Sequence, residues 1–162
     1  MDNSNQSEGR VPFPRAAFLL AQVGALAGAR FAQRLEPLGL QPSDVGILRL
    51  IATEESLSQQ GLAEKLGVVP SRVVVLIDTL EKKGLVARER SARDRRTYEL
   101  RLTGEGREVM AEMREIGSAH EQDITAALTP EERQELARLL GKIAASHDLT
   151  PNVHPGYRAP AH

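Results

Sequence analysis

Residues 57–103 read LSQQGLAEKLGVVPSRVVVLIDTLEKKGLVARERSARDRRTYELRLT, and the punctuation of that stretch decides the fold. Ser58 is placed to cap a short helix over Gln59–Leu66, whose Leu62, Ala63 and Leu66 share one face. Gly67 follows, where a left-handed backbone costs nothing without a Cβ. Pro70 opens a second helix, since the first turn needs no backbone donor, and Gly84 stops it after Lys83. Leu85, Val86 and Ala87 begin a strand. An arginine-rich turn comes next. Tyr98, Leu100 and Leu102 then alternate with Glu99 and Arg101, the period of a half-buried strand. Two helices joined by a glycine turn and followed by a hairpin make a helix-turn-helix with a β wing.

The second helix has the chemistry to enter a DNA major groove. Val73, Leu76, Ile77 and Leu80 recur at spacings of three and four and face the core, which leaves Ser71, Arg72, Val74, Val75, Asp78 and Thr79 on the outer faces. Arg72 lies in the first turn, where recognition helices reach base edges, and can donate two bonds to a guanine or bind a phosphate. Valine offers only an apolar contact, such as a thymine methyl. Three consecutive helical valines cannot share one narrow core face, so at least one is expected to be exposed or buried against something else. In the hairpin, Arg88, Arg90, Arg93, Arg95 and Arg96 outnumber Glu89 and Asp94 in a chain of net charge −1. Such focused positive charge suits the narrow minor groove. A carboxylate at Asp94 among guanidiniums would fix their orientation. The candidate DNA contacts are therefore Ser58, Gln59, Ser71, Arg72, Val74, Val75, Arg88, Arg90, Arg93, Asp94, Arg95 and Arg96.

Outside this unit the chain reads as helix. Leu20, Val23, Ala27, Phe31 and Leu35 form one stripe from Arg15 onward, beside a line of small residues, Ala17, Ala21, Ala25 and Ala29. Pro37 and Gly39 end that helix, and Ser43 or Asp44 is the expected cap of the next, with Ile47, Leu48, Leu50 and Ile51 inward. Thr103 caps a long helix carrying Val109, Met113, Ile116, His120 and Ile124 on one stripe. His120 reads as a packed or interface side chain, because no partner at zinc spacing accompanies it. Thr129 and Pro130 open a last helix faced by Leu136, Leu139, Leu140 and Ile143. The fold class is thus mainly α with a small β component (α+β). A winged helix-turn-helix at 40–103 is flanked by a helical dimerisation region at 13–36 and 104–147, between disordered tails at 1–12 and 148–162. The terminal helices carry more apolar stripe than one winged helix can cover, and pairing would bury the surplus. Phe18, Phe31, Leu136, Leu139, Leu140 and Ile143 are the expected dimer contacts.

A secretory reading competes at the N-terminus: Arg10, Arg15 and the apolar run to Ala27-Gly28-Ala29 resemble a signal with its cleavage site. Asp2 and Glu8 oppose it, and the apolar period continues through Phe31 and Leu35. A cytoplasmic protein without a membrane span is expected. The chain has no cysteine, which excludes disulfides, thiolate metal sites and cysteine nucleophiles. No serine-hydrolase elbow, phosphate loop or HExxH motif occurs, so neither an enzyme nor a cofactor or metal is expected.

Three pieces carry a family resemblance: Leu62-Ala63-Glu64-Lys65-Leu66-Gly67, Leu80-Glu81-Lys82-Lys83-Gly84-Leu85-Val86, and Asp94-Arg95-Arg96 followed by Leu100-Arg101-Leu102-Thr103. Together they resemble the MarR (multiple antibiotic resistance regulator) family of bacterial winged-helix transcription factors, over roughly residues 15–145. The resemblance implies a triangular homodimer that binds a double-stranded, pseudo-palindromic operator, most often as a repressor. Arg96 would enter the minor groove, with Arg93 and Arg95 beside it and Asp94 holding the wing. It also implies a pocket for a small aromatic effector between winged helix and dimer helices, assigned here to Ala27, Phe31, Leu48 and Ile51. Family members often carry polar or basic residues where this chain has Val74 and Val75, which shifts base readout toward Ser71, Arg72 and DNA shape. The competing reading is a winged-helix adaptor that binds protein and leaves DNA untouched.

Overall fold

A computed structural model of the chain describes residues 15–151 and 153. The expected N-terminal tail at 1–12 lies outside them. Helix α1 (Ala16–Leu35) runs unbroken through Ala27-Gly28-Ala29 and leads through a short 3₁₀ turn, Glu36–Leu38, to α2 (Pro42–Thr53). The helix-turn-helix pair follows as α3 (Gln59–Leu66) and α4 (Pro70–Lys82). The wing is β1 (Val86–Arg90) and β2 (Tyr98–Leu102), and α5 (Gly104–Ile124) and α6 (Pro130–Ser146) complete the chain.

Each boundary has a local cause. The Ser58 hydroxyl accepts the Gly61 N–H at 3.0 Å and starts α3, and Gly67 ends it at φ 66°. The start of α2 departs from expectation. Its cap is Gln41, with Pro42 in the first position and Asp44 one turn inside, where the carboxylate accepts the Gln41 N–H at 3.0 Å. Buried Asp44 also receives Lys83 Nζ at 2.9 Å, and the same ammonium donates to the Gly39 carbonyl at 2.8 Å. That pair ties the beginning of α2 to the end of α4. Thr103 both caps α5, accepting the Gly106 N–H at 2.9 Å, and donates to the Gly84 carbonyl at 2.6 Å. The wing root is therefore fastened to the long helix behind it.

The strands pair antiparallel, Val86 opposite Leu102, Arg88 opposite Leu100 and Arg90 opposite Tyr98. Leu57 adds a third contact, its carbonyl accepting the Leu100 N–H at 2.8 Å. Strand β2 corrects the simple alternation read from sequence. Glu99 is 7% exposed and Tyr98 48% exposed. Glu99 is tolerated inside because the Ser91 hydroxyl donates to it at 2.7 Å and Arg101 reaches it at 2.7 Å. These bonds, the serine's first, hold its carboxyl below the usual range despite burial.

One core serves the winged unit. Leu35, Ile47, Leu48, Leu62, Leu66, Val73, Ile77, Leu80 and Leu100 are fully buried, and Met113 joins them from α5. Val153 is half-buried against this cluster, so the expected tail at 148–162 has a packed residue among its described positions. By contrast, α6 buries none of its residues, and α1 buries only Leu35.

Candidate nucleic-acid interface

The candidate interface comprises the outer side of α4 and the tip of the hairpin. At about 100° per residue, burying Val73, Ile77 and Leu80 turns Ser71, Arg72, Val75 and Thr79 away from the core. Val74 is 39% and Val75 63% exposed, so two of the three consecutive valines lie outside. Ser71 and Arg72 are exposed in the first turn, and no described residue bonds the Arg72 guanidinium.

Beyond Arg90 the chain turns over Ser91–Thr97, and all of residues 92–98 are exposed. Arg93, Arg95 and Arg96 project from this turn with no intramolecular partner for their guanidiniums among the described residues, while Arg90 lies 6.0 Å from the centre of the Tyr98 ring. Asp94 corrects the expectation that it orients guanidiniums. Its carboxylate accepts the backbone N–H of Arg96 at 2.9 Å, and its carbonyl accepts both the N–H and the hydroxyl of Thr97 at 3.0 Å. It shapes the turn and leaves the arginines free.

Three expected DNA contacts are engaged inside the molecule. Arg88 is held by the Gln59 side-chain carbonyl, by Glu81 and by Asp78, the last at 2.6 Å, and its N–H donates to Glu81 at 3.0 Å. This network locks α3, α4 and β1 together at a fixed angle. Arg88 and Gln59 are therefore turned into the molecule and do not project from this face. Ser58 is consumed as the α3 cap. Spacing along the chain could not reveal this, because the network joins residues up to 29 positions apart.

The proposed effector residues do not converge. Leu48 is fully buried in the core. Phe31 packs within its own chain, its ring centre 5.2 Å from that of His120. Ala27 lies in an apolar groove between α1 and α6 with Leu20, Val23, Leu136 and Leu140. Ile51 borders a separate cavity of about 500 Å³ with Arg101, Leu102, Arg107, Met110 and Arg114. The basic members of this cavity were missed, although Arg107, Met110 and Arg114 repeat at helical spacing on α5. Phe18, Leu136, Leu139, Leu140 and Ile143 are exposed, whereas Phe31 is half-buried. Among the described residues, no helix is long and apolar enough to cross a membrane.

A helix pair offering an uncovered second helix beside a cationic hairpin defines a winged-helix DNA-binding protein. Residues 40–98 match the model of the MarR family. A putative transcriptional regulatory protein for the hcr operon of Thauera aromatica is 35% identical over 113 residues, covering 70% of this chain and 68% of that protein. The transcriptional repressor MdtR of Bacillus subtilis is 33% identical over 130 residues, covering 76% and 81%. The chain belongs to the MarR family and is a DNA-binding transcriptional regulator. Among solved structures, the repressor CouR bound to a 23-mer DNA duplex superposes with a TM-score of 0.71 at 29% identity, covering 80% of this chain and 92% of that one. CouR from Rhodococcus jostii RHA1 has also been solved with p-coumaroyl-CoA, at a TM-score of 0.65, 29% identity and coverage of 79% and 90%. These likenesses favour DNA over the adaptor reading.

Proposed function

We propose that the chain is a cytoplasmic, homodimeric repressor that reads a pseudo-palindromic operator, with α4 in the major groove and the wing in the adjacent minor groove. The observation that carries this is the pairing of an uncovered α4 face with guanidiniums of Arg93, Arg95 and Arg96 that have no partner among the described residues. Cationic side chains held away from their own protein are free to displace counterions from a duplex. A second copy is supported by α6, a 17-residue helix with no buried side chain, and by the exposed Phe18, Leu136, Leu139, Leu140 and Ile143. A helix of that length gains its stability from packing, and two-fold pairing would supply it. Two related recognition helices would then contact half-sites about one helical turn apart. A gel shift with the DNA upstream of the protein's own gene tests the reading. A discrete, salt-sensitive complex is expected, and no complex in low salt would overturn it.

We infer further that the cavity bordered by Ile51, Arg101, Leu102, Arg107, Met110 and Arg114 receives an anionic aromatic effector. It joins α2, β2 and α5, so a ligand there bears on the angle between the winged unit and the long helix. Its volume of about 500 Å³ suits a small molecule, and although Glu89 also lines it, the guanidiniums of Arg101, Arg107 and Arg114 beside Ile51, Leu102 and Met110 suit an aromatic acid or its thioester. CouR supports the chemical class. p-Coumarate and p-coumaroyl-CoA are the first probes, and release of DNA by either, lost in Arg114→Ala, is the expected result. Release that is undiminished in Arg114→Ala would remove this cavity from the account.

A further inference from the structure

We propose that Val75 is a specificity residue that reads the C5-methyl group of thymine in each operator half-site, an inference that rests on the assignment of α4 to the major groove. The residue sits on the face of the helix turned away from the core. Taking Val73 as the inward direction, the helical twist carries Val75 about 200° round, close to the point opposite the core. It is 63% exposed, whereas Val73 two residues earlier is fully buried. Ser71 and Arg72 flank it one turn before, and Asp78 and Thr79 one turn after. An apolar side chain at the centre of this ridge has no core to join.

Its neighbours make the centre of the face more apolar still. The Thr79 hydroxyl donates to the Val75 carbonyl at 2.9 Å, which turns that oxygen back onto the helix and leaves the γ-methyl as the threonine's free end. Asp78 is taken by Arg88 at 2.6 Å, so its charge is compensated from within. The middle of the recognition surface, between Ser71 and Thr79, therefore presents methyl groups, while Arg72 supplies a cation at its edge. In the major groove only thymine presents a methyl group, and it does so beside the phosphates that Arg72 and the wing can neutralise. Charge complementarity selects DNA as the occupant of the face, and the apolar centre selects the base.

The experiment begins with duplexes selected by the full-length protein from a random pool. Each thymine of the winning sequence is then replaced singly by deoxyuridine, which removes only the methyl and keeps every hydrogen-bonding group. The wild type should lose about fourfold in affinity per methyl at one or two positions of each half-site. That penalty should vanish in Val75→Ala and persist in Val75→Ile. Because Val75 is exposed and alanine favours helix, neither variant should melt below the wild type. Uniform binding to every uracil-substituted duplex would overturn the inference, as would a penalty undiminished in Val75→Ala. Enrichment of no sequence at all would instead overturn the DNA-binding reading beneath it.

Discussion

Asp94 accepts the backbone N–H of Arg96 at 2.9 Å, two residues along the same turn. An acid at the tip of a cationic hairpin thus shapes the turn, and its expected effect on DNA binding has the opposite sign from its charge. Replacing Asp94 with Ala removes a negative charge from a phosphate-facing surface, which by Coulomb attraction alone would tighten binding. Loss of the turn should dominate. We predict weaker binding, by roughly three- to tenfold, because ordering a loosened turn on DNA costs about a residue's worth of backbone entropy. Fluorescence anisotropy on a selected duplex measures this, and tighter binding would show that the turn forms without the carboxylate.

Arg88 separates positioning from contact. Its side chain is tied to Gln59, Asp78 and Glu81, so Arg88→Ala breaks three links at once. The expected loss of stability is about 1–3 kcal/mol, seen as a lower melting temperature. The slope of log affinity against log salt should be unchanged, since no phosphate contact disappears. A slope reduced by about one would restore Arg88 to the set of DNA contacts.

Gly106 is required by close packing at the joint between wing and α5. A Cβ there would overlap the carbonyl oxygen of Leu85, a backbone atom that cannot swing aside. Gly106→Ala should therefore destabilise the fold by about 1–3 kcal/mol or more, although alanine favours helix elsewhere. Gly117→Ala, in the same helix with open space around it, is the matched control and should be neutral or stabilising. Equal melting temperatures for the two variants would contradict the packing at Leu85.

Acid should loosen the junction of α1 and α5. His120 packs on Phe31, its Nδ1 is buried without a hydrogen bond, and burial, then the nearby Arg34, push its pKa below the ordinary histidine value. Arg30 also lowers it, while Asp123 and Glu121 act in the other direction. The unfolded chain therefore takes up a proton first as pH falls through about 6.5, and stability drops below that point until the folded form is protonated too. Asp123 adds a second loss at lower pH. Arg34, by its hydrogen bond, holds the Asp123 carboxyl below the usual range, so protonation there removes stability present above the ordinary aspartate value. His120→Phe should remove the first phase and leave the second. Melting temperatures from pH 7.5 down to about 3 in wild type and variant check this, and the same pH dependence in both would count against it.

The winged unit was legible because its information is local. Ser58, Gly67, Pro70, Gly84, Thr103 and Thr129 each mark a boundary within a turn of the residues they act on, and each acts where the spacing placed it. The misreadings share a different property. Ser43 and Asp44 can both cap α2, yet Asp44 is recruited into the first turn, where it also meets Lys83, the C-cap of α4, 39 residues later. Glu99 was read as an outward member of an alternating strand, but Ser91 across the hairpin tip gives it a buried partner. Arg88 looked like its exposed neighbours until α3 and α4 were folded against it. The effector residues were scattered because apolar periodicity identifies a buried face without distinguishing core, groove and cavity.

The central claim is that a free cationic wing beside an uncovered α4 grips duplex DNA, and salt dependence of binding tests it most directly. Affinity for a selected duplex should be measured by anisotropy across a series of salt concentrations, for wild type, Arg96→Ala and Arg95→Ala/Arg96→Ala. A steep wild-type slope is expected, with a loss of roughly tenfold in Arg96→Ala and a slope shallower by about one for each phosphate-contacting arginine removed. Wild-type affinity that does not change with salt, or wing variants that bind as the parent does, would contradict it.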